Sequence, residues 1–167
     1  MNRRIVIVGF MGCGKTTVAK ELACELNCEV VDLDSFITER EHRSPAEIIS
    51  QDGERRFREI ETLALLDALE KTSARVIALG GGTWTVAANR TLIALHDCLS
   101  VWLDAPFELC WKRIMSGKTV RPLAPDHDMA GTKYDSRQAG YGLAERRIAV
   151  DESDTVDIIT KTILNLY

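Results

Sequence analysis

Gly9-Phe10-Met11-Gly12-Cys13-Gly14-Lys15-Thr16, followed by Thr17, decides how the rest of the chain is read. The apolar run Ile5-Val6-Ile7-Val8 precedes it and the helical pattern Val18-Ala19-Lys20-Glu21-Leu22-Ala23 follows it. A strand feeding a glycine-rich turn that opens a helix is the setting of a phosphate-binding loop, G-x-x-x-x-G-K-[ST]. Glycines let consecutive backbone N–H groups converge on phosphate oxygens, and the helix N-terminus adds the positive end of a dipole. The expected nucleotide cradle is Gly12, Cys13, Gly14, Lys15, Thr16 and Thr17. Lys15 would reach the outer phosphates and Thr16 would offer a hydroxyl to Mg2+. The motif predicts a nucleoside triphosphate as ligand.

The 167 residues suffice for one domain with a proper core, and residues 1–167 are read as one. Hydrophobic residues at 46% and charged ones at 28% are ordinary for a soluble chain. A net charge of -4 lends no support to a nucleic-acid partner. No apolar run approaches membrane length, and too few apolar residues precede Gly9 for a signal-peptide core. A cytoplasmic protein with no membrane partner is expected. The five cysteines, Cys13, Cys24, Cys28, Cys98 and Cys110, contain no C-x-x-C pair, which argues for free, mostly buried thiols. Cys13 stands apart, because Lys15 and a helix N-terminus beside its sulfur make a reactive setting. Alkylating it is expected to block nucleotide binding.

Outward from the loop, residues 4–8 read as a strand buried on both faces. A helix is expected from about Lys15 to Leu26, a short strand at Glu29-Val30-Val31, and a helix at 36–40. Ser44-Pro45-Ala46-Glu47 is a capping box with proline at the first helical position. That helix should stop near Asp52-Gly53, and a long amphipathic one should follow from Glu54 to Lys71. Strands at 76–79, 99–103 and 147–150 and helices at 87–96, 107–115, 137–145 and 154–167 complete the reading. Residues 116–136 are polar, with weak periodicity, and suggest a mobile lid. Strands alternating with helices imply an α/β fold, a parallel sheet with helices on both faces.

Ligands of such sheets bind beyond the carboxyl ends of the strands. Asp32 and Asp34, the triple glycine Gly80-Gly81-Gly82 and the phosphate loop should therefore share one crevice. On an extended strand end, Asp32 and Asp34 would point to the same side. Asp32 would then be the metal-side partner and Asp34 the base that takes a proton from a substrate hydroxyl. The triple glycine leaves backbone N–H groups open to a ligand. Arg58 lies at the border of the inward side marked by Phe57, Ile60 and Glu61. Arg121, in Arg121-Pro122-Leu123, could close over the phosphates, and Arg137, between Tyr134 and Tyr141, suits a carboxylate.

Taken in order, Lys15-Thr16, Asp32-Leu33-Asp34, Gly53-Glu54 with Phe57-Arg58-Glu59-Ile60-Glu61, Gly80-Gly81-Gly82, Arg121-Pro122-Leu123 and Arg137 four before Tyr141 resemble the shikimate kinases. The resemblance runs almost end to end. It implies a P-loop kinase with a five-stranded parallel sheet in the order 2-3-1-4-5, and ATP- and Mg2+-dependent phosphorylation of the 3-hydroxyl of shikimate. It also implies that Asp34, Arg58, Gly80, Gly81, Gly82 and Arg137 hold shikimate, from helices at about 33–62 and the segment after the lid. The two arginines would grip the carboxylate, Arg121 would close over ATP, and Arg113 would stack on adenine. The expected protein is a monomer acting on small molecules.

Ala139-Gly140 departs from the family's Pro-Leu, and with Gly142 it should loosen the segment presenting Arg137. Ile49 stands where an aromatic residue is common. Two other readings remain open. A gluconate kinase-like enzyme would share the loop and the lid without needing two arginines. A GTP-dependent switch would use Thr132-Lys133-Tyr134-Asp135 to read guanine, but the chain's only D-x-x-G, Asp128-Met129-Ala130-Gly131, lies too close to it.

Overall fold

The computed structural model describes residues 3–117 and 126–167. Five strands, β1 (Ile5–Val8), β2 (Val30–Asp32), β3 (Val76–Ala78), β4 (Leu99–Asp104) and β5 (Arg146–Ala149), form one sheet in the order β2-β3-β1-β4-β5. Every pairing is parallel, with Ile5 opposite Val76 on one side and Leu99 on the other. All four residues of central β1 are fully buried. That is why its sequence is a continuous apolar run rather than an alternating one.

Among the described residues the helices are α1 (Lys15–Glu25), α2 (Leu33–Glu41), α3 (Pro45–Lys71), α4 (Ala87–Leu95), α5 (Phe107–Ser116), α6 (His127–Tyr141) and α7 (Val156–Leu166). α1 packs against α7, while α3, α4 and the 3-10 turn Thr83–Thr85 form a second packed group. The expected capping box opens α3: Glu47 N donates to Ser44 Oγ at 3.2 Å, and Ser44 N donates to Glu47 Oε2 at 2.7 Å. Gly53 breaks α3 with φ 86 and ψ 162, at the point where the first helix was expected to stop. No described helix is long and apolar enough to cross a membrane.

Two expectations are corrected. α6 starts at His127 rather than near Arg137, so helix replaces the second half of the expected lid. Asp126 caps it by accepting from Met129 N at 2.8 Å. The helix was hard to see because its buried face is Ala130, Arg137 and Tyr141, only partly apolar. α2 starts directly at Leu33, because Asp32 accepts from Ser35 N and acts as its N-cap. Asp34 is therefore in a helical first turn, and the strand alternation expected to align it with Asp32 does not apply.

Candidate active site

The phosphate loop arches over its own lysine. Lys15 Nζ donates to the carbonyls of Gly9 and Phe10, both at 2.9 Å, and the side chain is buried. Gly12 (φ 79) and Gly14 (φ 104) take left-handed conformations. A Cβ on Gly12 would stand 2.5 Å from the Cys110 carbonyl oxygen, so only glycine lets the loop lie against α5. Arg113, near the end of α5, reaches the same loop from outside, with Nη1 3.3 Å from the Cys13 carbonyl oxygen. Cys13 is enclosed, with Sγ 4.0 Å from Lys15 Nζ, so an alkylating reagent meets it only if the loop opens. Cys98 and Cys110 are also buried, and burial pushes the Cys110 thiol up to about 12.

The Thr16 hydroxyl donates to Asp32 Oδ2 at 2.5 Å. The hydroxyl at the start of α1 and the carboxylate at the end of β2 are hard oxygen donors of the kind Mg2+ takes. No described group of three or more His, Cys, Asp or Glu could cage an ion unaided.

Beyond the carboxyl end of β3, the three glycines each meet a different side chain. A Cβ on Gly80 would stand 2.9 Å from Asp34 Oδ1, and one on Gly81 would stand 3.3 Å from Arg137 Nη1. One on Gly82 would stand 2.7 Å from Arg58 Nη1. Three helices, α2, α3 and the distant α6, thus deliver a carboxylate and two guanidinium groups to one strip of bare backbone. They line a cleft of about 780 Å³, walled by Pro45 and Ile49 of α3.

Each cation is held from behind. Arg58 Nη1 donates to Glu61 Oε2 at 2.7 Å and Nη2 to Glu54 Oε1 at 3.2 Å. Burial alone would lower the Arg58 pKa, but the charges and hydrogen bonds of Glu61 and Glu54 prevail and raise it. Glu61 is 1% exposed and also accepts from Thr83 Oγ1 at 2.6 Å, which ties α3 to the turn after the glycines. Its inward position was legible from helical spacing, but its role as the support of Arg58 was not.

Arg137 is buried; Nη1 donates to the Gly81 carbonyl at 3.0 Å, and its guanidinium lies 6.0 Å from the Phe10 ring. Of the flanking tyrosines, Tyr141 donates its hydroxyl to the same carbonyl, and Tyr134 donates to Ala105 O at 2.9 Å. Trp84 Nε1 donates to the Gly140 carbonyl at 2.8 Å, so the segment expected to be loose is pinned to the 3-10 turn. Arg121 lies outside the described residues.

The family model for shikimate kinase matches residues 11–167. A shikimate kinase from Flavobacterium johnsoniae is 35% identical over 170 residues, covering 98% of this chain and 98% of that protein. A solved shikimate kinase from Acinetobacter baumannii in complex with shikimate superposes with a TM-score of 0.90 at 31% identity. That match covers 98% of this chain and 92% of the other. One from Bacteroides thetaiotaomicron gives a TM-score of 0.87 at 28% identity, covering 98% and 97%. Fold and sequence agree, and the chain belongs to the shikimate kinase family, enzymes that use ATP and Mg2+ to phosphorylate the 3-hydroxyl of shikimate.

Proposed function

We propose that the glycine strip is where shikimate meets ATP, with the roles divided as follows. Arg58 and Arg137 bind the carboxylate and fix which ring hydroxyl faces the phosphate loop, since paired guanidinium groups give bidentate, oriented recognition. Asp34 accepts the 3-hydroxyl proton as that oxygen bonds to the terminal phosphorus and the bond to the ADP oxygen breaks. Gly12, Cys13, Gly14 and Thr17 cradle the phosphates through backbone N–H groups, and Lys15 follows the charge on the transferred group. Thr16 and Asp32 hold Mg2+, which supplies charge neutralisation along the phosphates. Arg113 supports the loop and stacks on adenine, and Arg121 closes over ATP.

The observation that carries this reading is the meeting of Gly80 with Asp34, Gly81 with Arg137 and Gly82 with Arg58. We extend it to residues 1–167 acting as one catalytic domain, a cytoplasmic monomer with no nucleic-acid or membrane partner. The net charge of -4 supports the part of that extension that leaves out nucleic acid.

A coupled ADP-release assay over a panel of hydroxy acids, with ATP and GTP compared, tests the reading. Shikimate with ATP should give the highest kcat/KM. A preference for gluconate would overturn the two-arginine assignment, and a preference for GTP would overturn the donor.

A further inference from the structure

Lys133 lies on α6 one turn before Arg137, which lines the acceptor cleft, and has no role so far. On α6, Ala130, Arg137 and Tyr141 form the buried face. Position 133 is three residues after the first and four before the second, which puts it on that same face. The side chain is half-buried, and its ammonium makes no hydrogen bond or ion pair to another described residue. The charged groups near it are Arg137 on its own helix and Glu54 and Arg58 on α3.

The charge balance there needs another cation. Asp34, Glu47 and Glu61 line that cleft and outnumber Arg58 and Arg137, and Arg58 is already committed to Glu61 and Glu54. A carboxylate-bearing acceptor brings a further negative charge into that cleft. Rim charges of one sign raise the local concentration of an oppositely charged ligand, and close ones hold it.

We propose that Lys133 is a third acceptor-binding cation, offsetting the acceptor's carboxylate together with Arg58 and Arg137. The inference rests on the acceptor reading above and adds a specificity determinant to it. Burial, and then the charge of Arg137, hold the Lys133 pKa below the usual lysine value. An incoming carboxylate relieves that crowding, so the lysine favours an ionised acceptor over a neutral one.

Steady-state kinetics of the wild type, Lys133→Met, Lys133→Gln and Lys133→Arg on shikimate and on its neutral methyl ester provide the test. Lys133→Met and Lys133→Gln should raise the shikimate KM about 3–10-fold, with kcat and the KM for ATP within about twofold. Lys133→Arg should restore the wild-type value, and KM for the ester should not move. An unchanged shikimate KM in both neutral variants overturns the inference. So does an equal rise for acid and ester, which marks a packing effect. A wild type that phosphorylates other hydroxy acids but not shikimate overturns the acceptor reading itself, whatever residue stands at 133.

Discussion

Gly82 and Arg58 contend for one space: a Cβ at position 82 would lie 2.7 Å from Arg58 Nη1. The backbone there is ordinary, with φ -106, so alanine is tolerated by the chain and resisted only by the guanidinium. Gly82→Ala should therefore leave the melting temperature nearly unchanged and push Arg58 off its place. A hydrogen bond to a charged group is worth about 1.5–3 kcal/mol. The shikimate KM should rise at least about tenfold, with ATP binding intact, as measured by steady-state kinetics alongside a thermal melt.

Gly12→Ala should behave in the opposite way. Position 12 has φ 79, and the obstacle is the Cys110 carbonyl, which is backbone and cannot swing aside. A non-glycine residue held left-handed costs of order 1–3 kcal/mol. Urea unfolding should show that loss, and isothermal titration should show nucleotide affinity falling with it.

Asp34→Asn keeps the shape beside Gly80 and removes the proton acceptor. kcat should drop at least about 10²-fold while ATP binding is retained. If only KM rises, Asp34 binds the acceptor and does not act as its base.

Ser44→Ala removes half of the capping box that opens α3. An N-cap serine is worth about 1 kcal/mol, which urea unfolding at neutral pH should recover. The bond from Ser44 N, and then that from its hydroxyl, hold the Glu47 carboxyl below its ordinary 4.5. A depressed carboxylate stabilises the fold above its unfolded-state value, and that contribution is lost as pH falls through the depressed one. The gap between wild type and variant should accordingly narrow as the medium is taken below pH 4.5.

The β-α-β framework was legible because its central strand is buried on both faces and its turns carry glycine or a capping box. The candidate site was legible where its residues lie close in sequence: the phosphate loop and the triple glycine each announce themselves in a few residues. α6 was partly missed because its inward side is built from Arg137 and Tyr141, which weakens the apolar periodicity. The helical placement of Asp34 was missed because Asp32 caps a helix with no residue between strand and cap. Glu61 supports Arg58 through one contact on its own helix and another to Thr83, and the second crosses the fold. Local spacing cannot report a partner that far away.

Gly53 divides α3 between Pro45 and Ile49 on one side and Arg58 on the other, and all three border the acceptor cleft. A Cβ at Gly53 would meet nothing within 4 Å, so no neighbour demands glycine there; the torsions do. Two jaws of the cleft are thus carried by a single unbroken length of chain, and one pair of backbone angles sets the gape between them.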